Sequence, residues 1–88
     1  MKVQRVIAHN MRKRLVELGL SQEVLAVDAK IDRTYVSRLE RGLENPSVGL
    51  LERLAQALGI EIVDLLTKPR SGERFPAALP GGRRPRSR

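Results

Sequence analysis

The chain has 88 residues, a formal net charge of +7, no cysteine, no tryptophan, one Phe and one Tyr. That length allows one small domain with a core of Leu, Ile, Val and Ala, and the lack of cysteine excludes disulfides and thiolate metal sites. No run approaches the ~18 apolar residues of a membrane helix and no signal-peptide core opens the chain, so a soluble, cytoplasmic protein is expected.

Five helices and no strand are predicted, in chain order. From about Val3 to Leu18, the residues Ile7, Met11, Leu15 and Leu18 recur at helical spacing, and Gly19 closes the segment. Ser21 is placed to cap a second helix, Gln22 to Ala29, that buries Leu25, Ala26 and Ala29. Asp32 is placed to cap a third, Arg33 to Arg41, which stops at Gly42. After Leu43–Pro46, Ser47 opens a fourth helix with Leu50, Leu51, Leu54 and Leu58 on its inner stripe, ended by Gly59. A short fifth helix spans about Ile62 to Leu66. Beyond Pro69 the chain is rich in Pro, Gly and Arg without periodicity, which predicts a disordered tail. The expected division is a domain over 1–67 and a flexible tail over 68–88.

The charge is unevenly placed. Residues 1–67 hold ten basic and nine acidic side chains, a net of +1, whereas 68–88 hold seven basic and one acidic, a net of +6. A nucleic-acid face on the folded part must therefore come from segregated charge. The third helix offers such segregation: Val36 and Leu39 fall on one side, and Thr34, Ser37, Arg38 and Arg41 on the other. Two short capped helices joined by a tight connection, the second with an arginine-rich outer side, fit a helix-turn-helix whose second member enters the major groove.

The segment from about Ile7 to Leu66 resembles the phage repressor/Cro-like helix-turn-helix family, also called the XRE family. The resemblance is carried by Gly19-Leu20-Ser21-Gln22, Leu25-Ala26 and Tyr35-Val36-Ser37-Arg38. It continues through Glu40-Arg41-Gly42, Asn45-Pro46-Ser47 and the pattern Leu51…Leu54-Ala55…Leu58-Gly59. It implies an all-α fold, a compact five-helix repressor-like DNA-binding domain with helices two and three as the helix-turn-helix. Three features depart from the family pattern. Lys30 stands where a turn glycine is common, at about 1 kcal/mol of strain if left-handed. Arg14-Leu15 reverses the usual Leu-Arg order, leaving an Arg14–Glu40 pair in question. Val24 and Val27 replace polar residues on helix two.

By the resemblance, Arg33, Thr34 and Arg38 match positions that reach base edges, with Ser37 on the same side, and arginine reads guanine O6 and N7 with two bonds. Their bland alternative is a solvated face with salt bridges to Asp32 or Glu52. Gln22 matches a phosphate-binding position at a helix amino end, against an ordinary first-turn residue. Arg41 and Asn45 match backbone-contact positions, although Asn45-Pro46-Ser47 is equally a good turn and helix entry. Tyr35 has two readings, ring packing alone or packing with its hydroxyl on a phosphate. His9, with no other His or Cys, reads as a surface residue.

No Ser/His/Asp arrangement, metal-ligand spacing or glycine-rich phosphate loop is present. No catalysis, cofactor, metal or small-molecule ligand is therefore expected. The expected function is sequence-specific binding of double-stranded DNA by a transcriptional regulator. An antitoxin or restriction-modification controller of the same fold is an alternative, and a protein-interaction adaptor is a third. Relatives usually bind as dimers, and Ile60, Ile62, Val63, Leu65 and Leu66 form the expected homodimer interface, carrying more apolar surface than so short a segment readily buries.

Overall fold

The computed structural model of the chain describes residues 2–69; the expected disordered tail lies outside the described residues but for Lys68 and Pro69. Five helices follow one another: α1 Val3–Leu18, α2 Gln22–Ala29, α3 Arg33–Glu40, α4 Val48–Leu58 and α5 Ile62–Leu66. These are the elements anticipated from the sequence, except that α3 ends one residue earlier, Arg41 serving as its cap. None of the described helices is long and apolar enough to cross a membrane.

Each expected side-chain cap forms. Ser21 Oγ accepts from the Val24 N–H at 3.1 Å, Asp32 Oδ2 from Thr34 at 2.9 Å, and Ser47 Oγ from Leu50 at 3.1 Å. Every one of these bonds satisfies a backbone donor that the helix itself cannot. The carboxyl ends turn through left-handed residues at Gly19, Lys30 and Gly59, and Gly42 takes the same conformation just past α3. At Lys30 the φ of 59° is strained for a side chain bearing a Cβ. Arg53 of α4 offsets part of that strain, its Nε donating to Ala29 O at 3.1 Å and its second terminal nitrogen to Lys30 O at 2.9 Å. The carbonyls at the end of α2 thus meet a cation, which also suits the helix dipole.

The core joins all five helices. Met11, Leu25, Leu39, Leu54, Leu58 and Leu65 are fully buried, with Ile7, Leu15, Val36 and Leu51 beside them. α1 packs against both α3 and α5, while α2 lies on α3 and α4. This double packing buries Val6, Ile7, Ala8 and His9 in succession. His9, expected at the surface, is therefore only 2% exposed. Two leucines anticipated in the core do not reach it fully: Leu18 is exposed at the end of α1 and Leu50 is half-buried. Asn10 fastens the last helix, its amide donating to Leu65 O at 2.8 Å and Thr67 O at 2.9 Å.

Replacing Lys30 with Gly should remove the left-handed strain and raise stability by about 0.5–1 kcal/mol, or about 2–8 °C in Tm for a domain of this size. Lys30→Ala keeps the Cβ and should give no such gain. Thermal unfolding by circular dichroism of the three proteins checks this, and equal melting points for Gly and Ala would contradict it.

Candidate nucleic-acid interface

α3 is held from behind and open in front. Val36 and Leu39 sink into the core, whereas Arg33, Thr34, Arg38 and Arg41 are exposed and Ser37 is half-buried on the same side. Among the described residues neither Arg33 nor Arg41 makes an ion pair, so the salt bridges to Asp32 or Glu52 that would mark a merely solvated face do not form. Three arginines and two hydroxyls on the outer side of a helix ~10 Å across suit the width of the major groove.

Behind α3, the side chain of Glu40 is only 11% exposed and receives two partners. Arg12 of α1 bonds its Oε2 at 3.3 Å, and the Gln22 amide of α2 donates to its Oε1. Glu40 therefore ties the first three helices together. The arginine partner is Arg12 and not Arg14, because Arg14 lies further along α1 against the end of α4. There its Nε donates to Leu58 O at 2.8 Å and its Nη1 to Glu17 Oε1 at 3.3 Å. The bond to Glu40 occupies one N–H of the Gln22 amide, and a primary amide carries a second.

The loop after α3 brings in residues that the linear pattern did not expose. Gly42 turns the chain back, Leu43 N–H bonds Arg38 O at 3.0 Å, and Glu44 returns to Arg38, whose Nε donates to Glu44 Oε2 at 2.6 Å. The helical period gives no hint of this pair, since Gly42 ends the helix between its members. Asn45 accepts a hydrogen bond from the Gln4 amide of α1, so it is both a turn residue and a tether to the first helix. Tyr35 packs its ring partly against the core. Burial first, and the Glu44 carboxylate second, push its phenol above the ordinary value of 10.0, so it remains a neutral donor.

Of the expected base-facing and phosphate-facing residues, the fold gathers Gln22, Arg33, Thr34, Ser37, Arg38, Arg41 and Asn45 around α3, with Tyr35 half-inside. The five apolar residues read as a dimer interface divide differently. Leu65 is wholly within the core and Ile60 and Ile62 pack partly against it, which leaves Val63, 64% exposed, and Leu66, 40% exposed, as the open surface. Leu65 is thus corrected from interface to core: α5 is anchored through it and through Asn10.

A helix-turn-helix family model matches residues 11–65. A hypothetical transcription factor of Neisseria meningitidis is 45% identical over 64 residues, which make up 73% of this chain and 60% of that protein, so the chain spans three fifths of that relative's length. The crystal structure of the hypothetical transcription factor from Neisseria has a TM-score of 0.75 at 43% identity, covering 77% of this chain and 78% of that one. The restriction-modification controller C.AhdI from Aeromonas hydrophila gives 0.68 at 39% identity, covering 70% and 94%. The controller C.Esp1396I, solved as a tetramer with its 35 base-pair operator, gives 0.68 at 29% identity, covering 74% and 86%.

Replacing Glu40 with Ala should cost about 1–2 kcal/mol of stability, because it removes the part-buried carboxylate that Arg12 and Gln22 both bond. With Gln22 no longer held, affinity for all duplex sequences should fall together. Denaturant unfolding and fluorescence anisotropy check the two halves, and a loss confined to one DNA sequence would contradict the second. The matched residues, the five helices and the arrangement of α2 and α3 make the chain a member of the helix-turn-helix family of the phage repressor/Cro (XRE) type.

Proposed function

We propose that this chain regulates transcription by binding double-stranded DNA sequence-specifically as a homodimer, with α3 in the major groove. The observation that carries the reading is the outer side of α3. In a protein whose folded part is nearly neutral, Arg33, Arg38 and Arg41 stand together on one exposed face. In this reading Arg33, Thr34, Ser37 and Arg38 meet base edges. Gln22, Arg41, Asn45 and the Tyr35 hydroxyl hold phosphates and set the register of the helix.

One recognition helix spans only a few base pairs, so a second copy is needed for a useful site, with half-sites about 34 Å apart. Val63 and Leu66 on α5, flanked by Ile60 and Ile62, supply an apolar surface for that pairing. The similarity to restriction-modification controllers favours a second, narrower reading of the same chemistry, in which the regulated genes are those of such a system.

Selection of bound duplexes from a random pool tests the function. The wild-type chain should enrich a two-fold symmetric sequence, and enrichment of nothing would overturn the reading. Arg38→Ala should weaken binding to the enriched site by about 1–3 kcal/mol and relax preference at one base pair. A uniform loss over all sequences would make Arg38 a phosphate contact instead. Val63→Asp with Leu66→Asp should convert a dimer to a monomer in light scattering and weaken binding to the two-fold site by about tenfold or more. A wild-type monomer that binds one copy per site would overturn the dimer.

A further inference from the structure

Arg38 reaches the DNA-facing side already engaged. Its Nε donates to Glu44 Oε2 at 2.6 Å, and among the described residues nothing else bonds the guanidinium. The two terminal nitrogens, forming the outer edge of the fork, stay open. That edge can meet guanine O6 and N7 together. We infer that Glu44 is the positioning residue of this interface, holding the Arg38 guanidinium for two-bond contact with guanine and so setting base discrimination. The inference rests on reading α3 as the recognition helix.

The backbone puts Glu44 there. Gly42, at φ 75°, reverses the chain, and the Leu43 N–H to Arg38 O bond lays the loop along the last turn of α3. The Glu44 side chain is 25% exposed against 46% for Arg38, so the carboxylate lies nearer the protein and the guanidinium nearer solvent. Glu44 also acts on the Tyr35 phenol, which places its charge close to the α3 surface.

An exposed ion pair of this kind adds little to folding stability. Its effect on recognition is of another kind. A free arginine loses rotamer freedom when it binds a base, and one held at Nε has lost much of it beforehand. A free arginine facing a base without paired acceptors can swing to a phosphate and recover affinity there. Glu44 opposes that swing and adds its own repulsion toward phosphates. Wrong sequences therefore lose more than right ones, and specificity is that difference.

The test uses the full chain and a duplex enriched by the wild-type protein from a random pool. Arg38→Ala first identifies the base pair whose preference depends on Arg38. Dissociation constants are then compared on that duplex, on the duplex with this pair replaced, and on an unrelated sequence. Glu44→Ala should lower discrimination at that pair by about fivefold to tenfold and tighten binding to the unrelated duplex by about threefold. Glu44→Gln, whose side-chain oxygen can still accept from Arg38 Nε, should keep most of the discrimination while gaining the general affinity. In the Arg38→Ala background, Glu44→Ala should leave discrimination unchanged. Melting temperatures should stay close to wild type.

Unchanged or increased discrimination in Glu44→Ala would overturn the inference, and so would an equal effect with and without Arg38. Those results leave α3 as the recognition helix. Failure of the wild type to enrich any sequence would overturn that broader reading and this inference with it.

Discussion

A single carboxylate fixes how the recognition surface is presented. Glu40 near the end of α3 accepts from Arg12 of α1 and from Gln22 of α2, and its side chain is almost shielded from water. A short helix of eight residues has little stability of its own and takes its orientation from its neighbours. Val36 and Leu39 hold α3 to the core, but apolar contact resists rotation and sliding poorly because it has no direction. The charged hydrogen bonds to Glu40 supply that direction. They also fix Gln22, so the first residue of α2 and the orientation of α3 are set by the same group.

The remaining architecture protects a small core from its own loose ends. Every helix end in so short a chain leaves backbone groups that water or a side chain must satisfy. Ser21, Asp32 and Ser47 do so locally at three amino ends. The carboxyl ends of α2 and α4 depend on distant arginines, Arg53 reaching Ala29 and Lys30, and Arg14 reaching Leu58. Both arginines spend charge on folding rather than on a ligand. The strained Lys30 turn, the tightest element of the helix-turn-helix, is thereby tied to α4.

Charge in the folded part is nearly balanced, and its arrangement carries the meaning. Arg12, Arg14 and Arg53 are bound to partners at the back and sides of the domain. Among the described residues Arg33 and Arg41 make no ion pair on the front, and Arg38 is half-committed through Glu44. The partition separates arginines that build the scaffold from those presented outward, though all are the same residue type.

Much of this was legible in the sequence. The helices, their serine and aspartate caps, the glycine ends and the outward side of α3 depend on residues within one or two turns of each other, and short-range physics fixes those. The resemblance to the XRE family added roles for Gln22 and the α3 face; the structure leaves Arg33, Thr34 and Arg38 of that face exposed and bonds Gln22 to Glu40. What the sequence alone left open, or misplaced, involves separation along the chain. Arg12 instead of Arg14 on Glu40, Arg53 on the α2 carbonyls, Gln4 on Asn45 and Glu44 on Arg38 are all set by how helices lie on one another. His9 is buried because α1 is covered by both α3 and α5, and Leu65 is core because Asn10 and α1 draw α5 inward. Local spacing determines which face a helix offers. Only packing decides what covers that face, because burial and long-range hydrogen bonds belong to pairs of elements that no single stretch of chain contains.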